Sequence, residues 1–207
     1  MNNGSLIKIK AATAAEVCAH FEFHKEARTL LREGQVPREF VEALVANRQY
    51  ITGIDFVGHA LPGREAVWWG CLCLQHTCGN NLSVSDHAAC QAAVRWVLEP
   101  TEENRLAAKE HSEKAGQGSV AGALAAASHL TEDPSCPADP GRKPSFGPAK
   151  AVAGAIKLAS TKADPSRIVE THRLFLELGI GVAEGRFRWP EIHQQAPLKN
   201  GSRKTEG

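Results

Sequence analysis

A chain of 207 residues with a formal net charge of +1 has room for one large domain or two small ones, and its charge argues against wholesale nucleic-acid binding. Hydrophobic residues make up 43% and charged residues 23%, as in ordinary globular proteins, while an aromatic content of 6% beside abundant alanine favours close helix packing over sheet. Met1–Lys10 has no apolar run of signal-peptide length and no stretch approaches the ~20 apolar residues of a membrane span, so a cytoplasmic protein with reduced thiols is expected.

Residues 1–12 read as an extended arm, because the alternation Leu6-Ile7-Lys8-Ile9-Lys10 has no evident partner strand. Thr13 with Glu16 three residues later forms a capping-box pattern, which opens a helical domain over 13–184. His24–Leu31 is a further helical piece, with Gly34 as its stop. From Pro37, the spacing of Phe40, Val41, Leu44 and Val45 predicts an amphipathic helix ending near Arg48. Tyr50–Leu61 follows, with Ile51, Ile54, Val57 and Leu61 on one side. Pro62-Gly63 breaks the chain and begins the next helix, so the two form a tight antiparallel hairpin.

The helix predicted over 64–78 is the centre of the reading. From Ala66 to Leu74 no residue is polar, which marks an element buried on every face. Ser83 or Ser85 caps the next helix, which buries Ala89, Ala92, Ala93, Trp96 and Val97. Thr101 and the acids after it start a mostly polar helix to Ala115. Gly116 stops it, and Ser119 caps a small-residue helix to Leu130. A Pro-rich internal linker is expected over 132–148, then a helix over 149–163 and a last helix from Asp164. In that last helix Leu174, Phe175, Leu178, Ile180 and Val182 form the apolar side. The helices at 120–128 and 152–160 share a small-residue pattern that suits packing on each other. Residues 185–207 carry Arg186, Arg188, Lys199, Arg203 and Lys204 against Glu191 and Glu206; they are expected to form a basic, largely disordered tail, with Trp189 the residue to tuck back. The fold expected is all-α, a compact bundle of antiparallel helical hairpins around the Trp-Trp helix.

Candidate chemistry is sparse. Cys71, Cys73, His76 and Cys78 hold ligand types that zinc favours. Helical geometry opposes their convergence, since Cys71 and Cys73 point to nearly opposite sides and Cys78 lies ~10 Å along the axis from Cys71. No metal, no cofactor and no catalytic residue is expected, and the chain is read as no enzyme. Asp55, His59, Arg64, Glu65, Trp68 and Trp69 gather at the hairpin break, and aromatics ringed by charges are what protein interfaces are anchored on. A plainer role is compatible: Arg64 and Glu65 pair with charges on the preceding helix and fix the hairpin.

His59–Cys71 (HALPGREAVWWGC), Pro100–Arg105 (PTEENR) and Ala149–Ala155 (AKAVAGA) together resemble an uncharacterised family of bacterial proteins found with type VI secretion gene clusters. The resemblance implies a cytoplasmic protein working beside secretion effectors and their loading chaperones, and it brings no catalytic residues. The expected function is a protein-binding adaptor or accessory chaperone for an effector or its loading partner, with no nucleic acid and no membrane as partner. A toxin-binding immunity protein and a metal- or thiol-dependent enzyme built on the Cys71/Cys73/His76/Cys78 cluster are the alternatives.

Overall fold

Helix starts fall where side chains satisfy the free N–H groups that a first turn leaves behind. Thr13, Ser83, Thr101 and Ser119 each accept from the backbone N–H three residues on, and Pro37 occupies a first-turn position that has no need of a donor. The computed structural model describes residues 5–79, 81–116, 118–131 and 147–190. Among these the elements are α1 (Ala14–Cys18), α2 (Lys25–Arg28), α3 (Pro37–Ala46), α4 (Tyr50–Ala60), α5 (Gly63–Cys78), α6 (Val84–Leu98), α7 (Glu102–Ala115), α8 (Val120–Leu130), α9 (Gly147–Ser160), a 3₁₀ turn (Pro165–Arg167) and α10 (Ile168–Ala183). No strand occurs among the described residues, and the fold is an all-α bundle.

α5 is the hub, in contact with α6, α8, α9 and α10; α4 packs instead on α3, α9 and α10, so the two helices diverge at Pro62 and do not form the tight antiparallel hairpin expected. Its apolar run buries Ala66, Val67, Trp69, Cys71, Cys73 and Leu74. Two glycines let neighbouring helices approach it. A Cβ on Gly70 would collide with the Leu124 side chain of α8, and one on Gly179 would meet the Trp69 indole at 2.6 Å. Trp69 also donates its Nε1–H to the Phe175 carbonyl of α10 at 2.8 Å, so this wholly enclosed ring has its one polar atom satisfied. The small-residue helices α8 and α9 pack directly on each other.

α10 differs from the pattern expected of it. Phe175, Leu176 and Val182 enter the core, while Leu174, Leu178 and Ile180 are half-buried on the side facing α3. Both sets are apolar, so the sequence alone does not rank them. α10 ends in a Schellman turn: Gly185 takes φ +73°, its N–H bonds Val182 O at 2.9 Å, and the Arg186 N–H bonds Gly181 O at 2.8 Å. This reverses the chain, and residues 185–190 run back over the N-terminal end of α5. The remainder of the expected tail, 191–207, and residues 132–146 of the expected linker lie outside the described residues. Gly147 and Pro148, expected at the end of that linker, are the first residues of α9.

Candidate functional site

At the N-terminal end of α5 the charged residues beside the Pro62 break are each engaged. Arg64 reaches away from α4: its Nε–H donates to Val97 O at 2.5 Å and an Nη2–H to Leu98 O at 2.9 Å. These are carbonyls of the last turn of α6, which lack helical partners and carry the negative end of the dipole. Arg64 thus caps α6 from outside. Glu65 pairs with Lys8 Nζ at 3.1 Å, while the Lys8 backbone N–H bonds Ala183 O at 3.0 Å. The N-terminal arm is thereby tied to both α5 and the end of α10. Neither residue pairs with the preceding helix, the partner the sequence suggested.

The two tryptophans divide as their ~100° separation on a helix requires. Trp69 is core, and Trp68 is half-buried with its Nε1–H donated to the Phe187 carbonyl at 3.1 Å. Phe187 is held by its own ring, which lies where a Cβ on Gly181 would stand. Two residues on, the Trp189 ring takes the Arg64 guanidinium at 4.5 Å from its centroid and Lys8 Nζ at 5.9 Å. Two cations within reach of one indole are a favourable arrangement for its electron-rich faces. The outcome is an aromatic and cationic seat made by Lys8, Arg64, Glu65 and Trp68, on which residues 187–189 rest.

Asp55 and His59 belong to a separate place. They line a polar hollow of about 520 Å³ beside α4, with His20, Phe21, Lys150 and Lys157. Asp55 pairs with Lys157 at 2.6 Å, and His59 Nδ1 lies 2.8 Å from Asp55 O with its ring stacked on Phe21 at 4.8 Å. Burial holds the His59 imidazole below its usual pKa, and the charges of Lys150 and His20 push the same way. The six residues singled out in the sequence are therefore a core tryptophan, a surface seat and a cavity wall.

A second hollow, about 310 Å³ and mostly apolar, separates α3 from α10 and is floored by Val41, Val45, Leu174 and Leu178. Its end is closed by Glu184, whose carboxylate is nearly enclosed between Arg38 and Arg186 at 2.6 Å and 2.5 Å. Burial opposes the Glu184 charge, yet the hydrogen bonds from Arg186 and Arg38 prevail and hold its pKa low. Nothing in the helical spacing of the sequence singles out this hollow.

The cysteines do not converge with His76. Among the described residues no three His, Cys, Asp or Glu side chains form a group that could hold a metal ion. Cys71 and Cys73 are buried, and Cys73 is raised far above the usual thiol pKa by burial alone. Cys71 instead neighbours Cys90 of α6, and the interaction of the two thiols raises the pKa of Cys71 and lowers that of Cys90. That pairing crosses from one helix to the next and has no signature in local spacing.

Comparison with protein families gives one finding: the model of a family of unknown function matches residues 40–183, more than two thirds of the chain. No curated protein matches, and no solved structure matches. The matched span takes in the helical body from α3 to α10 and stops short of the segment that lies on Arg64 and Trp68.

Proposed function

The chain belongs to DUF6931, a family of unknown function, and from that premise we propose that it is a non-enzymatic protein-binding adaptor or accessory chaperone. Its client in this reading is a type VI secretion effector or the effector's loading partner, met in the bacterial cytoplasm. The secretion context rests on the resemblance of the His59–Cys71, Pro100–Arg105 and Ala149–Ala155 segments. No described helix is long and apolar enough to cross a membrane, which agrees with a client met in solution.

The observation that carries the binding role is the half-buried Trp68, whose indole N–H bonds a backbone carbonyl of a non-helical segment. Trp and Arg are the residues that most often anchor protein interfaces, and here they stand together with a peptide already against them. Thiol chemistry at Cys71 and Cys73 gains no such support: a nucleophilic cysteine needs a lowered pKa and exposure, whereas these two are buried and raised.

The test is affinity capture with the tagged full-length protein from its native bacterium, with captured proteins identified by mass spectrometry. A stoichiometric secretion effector or effector-loading protein is the expected result. A toxin as the stoichiometric partner would move the reading to an immunity protein, and the absence of any specific protein would overturn it.

A further inference from the structure

We infer that residues 186–190 are an intramolecular strap occupying the seat of Lys8, Arg64, Glu65 and Trp68, and that a client enters by placing its own extended, aromatic-bearing segment there. This rests on the binding role proposed above and specifies its chemistry.

The argument starts from what holds the strap. Past the Schellman turn at Gly185 the segment has no helix of its own, and its route is fixed by side chains. Trp189 is half-buried, Phe187 lays its ring against Gly181 yet stays 38% exposed, and Arg186, Arg188 and Pro190 are exposed. The Trp68 indole reads only a carbonyl of the strap, an atom that every peptide carries. The Arg64 guanidinium and Lys8 ammonium read only an aromatic face. Such a seat distinguishes an aryl side chain two residues past a free carbonyl, and little else. It asks nothing unique to this chain's own C-terminal segment.

The seat stands without the strap. Arg64 is fixed by Val97 O and Leu98 O, Glu65 by Lys8, and Lys8 by Ala183 O. None of those bonds involves residues 186–190. The family-matched body likewise ends at Ala183, before the strap begins. Removal of the strap therefore exposes a preformed site rather than dismantling one, and preformed sites bind with little ordering cost.

A tethered strap competes at a high local concentration, so a free peptide sees only the fraction of molecules whose seat is open. The experiment uses a fluorescent peptide with the sequence of residues 184–190 and full-length protein, read by fluorescence polarisation. Trp189→Ala in the full-length chain is expected to bind the peptide at least about tenfold more tightly than wild type, as an open fraction below a tenth in wild type requires. The same peptide with alanine at the Trp189 position is expected to bind neither chain. Equal affinity for both chains, or no binding to either at ~1 mM peptide, would overturn the strap. A melting temperature of Trp189→Ala more than about 10 °C below wild type would also overturn it, since the segment would then belong to the core. Because no client enters this experiment, its result is separate from that of client capture.

Discussion

Gly179 on α10 packs directly against the indole of Trp69 on α5, and a single added carbon there would come within 2.6 Å of the ring. The two helices are therefore fitted to each other at that point, with the Trp69–Phe175 hydrogen bond one turn away. Replacing Gly179 by Ala is expected to cost about 1–3 kcal/mol, because an enclosed ring can yield only by disturbing the residues packed around it. Trp69→Ala is expected to cost about 3–5 kcal/mol. Urea unfolding followed by circular dichroism measures both, and a cost below ~1 kcal/mol for Trp69→Ala would mean the ring is not enclosed.

A smaller and opposite effect is expected at Arg48. This residue ends α3 with φ +57°, the left-handed conformation a Schellman turn needs at that position, and Gln49 N–H closes the turn on Leu44 O at 2.8 Å. Glycine takes that conformation without the steric cost of a side chain. Arg48→Gly should raise stability by about 0.5–1 kcal/mol in the same unfolding experiment; a loss would mean the arginine side chain holds the turn.

Acid should weaken the fold through its histidines. Burial lowers His59, His129 and His172 from the ordinary value of 6.5. For each, the unfolded chain binds a proton before the folded one does, so stability is full above pH 6.5 and declines as pH falls below it towards the folded pKa values. The melting temperature at pH 5.5 is expected below that at pH 7.5, and His59→Gln should narrow the gap. A melting temperature that is flat or rises on acidification would contradict the assignment.

The thiols supply a prediction about reactivity. Cys90 is half-buried and its pKa is lowered by the neighbouring Cys71 thiol, whereas burial raises Cys18 to about 11 and also raises Cys73 well above the usual thiol value. Alkylation of the native protein at pH 8, mapped by mass spectrometry, is expected to label Cys90 well before Cys18, Cys71 and Cys73. Simultaneous labelling of Cys73 would show that α5 opens in the native state.

The helix breaks were legible in the sequence because their causes are local. Thr13, Ser83, Thr101 and Ser119 each cap within three residues of themselves, and the apolar run at Ala66–Leu74 marks the central helix, although Trp68 and Leu72 within it are half-buried and the enclosure on every face expected of it is not met. The pairings of the candidate site were not legible, because each spans a long stretch of chain. Arg64 bonds carbonyls 33 and 34 residues away, Asp55 finds Lys157 102 residues away, and Trp68 meets Phe187 119 residues away. Nearness in sequence put Arg64, Glu65 and Trp68 together at the Pro62 break. It could not separate them from Asp55 and His59, which line a different hollow.

The distinction between Arg64 and Trp68 follows from those partners and bears on the central claim, that the chain binds a protein client at the N-terminal end of α5. Arg64→Ala removes the external cap of α6 and is expected to lower stability by about 1.5–3 kcal/mol, so loss of binding in that variant is ambiguous. Trp68 gives one indole hydrogen bond to the strap and only part of its ring to the core. The decisive measurement is the affinity of Trp68→Ala for the captured client by isothermal titration calorimetry, beside its thermal melt. The account predicts at least about a tenfold loss of affinity, ~1.4 kcal/mol, with a melting temperature within a few degrees of wild type. Wild-type affinity in Trp68→Ala would contradict it and place the client elsewhere on the surface.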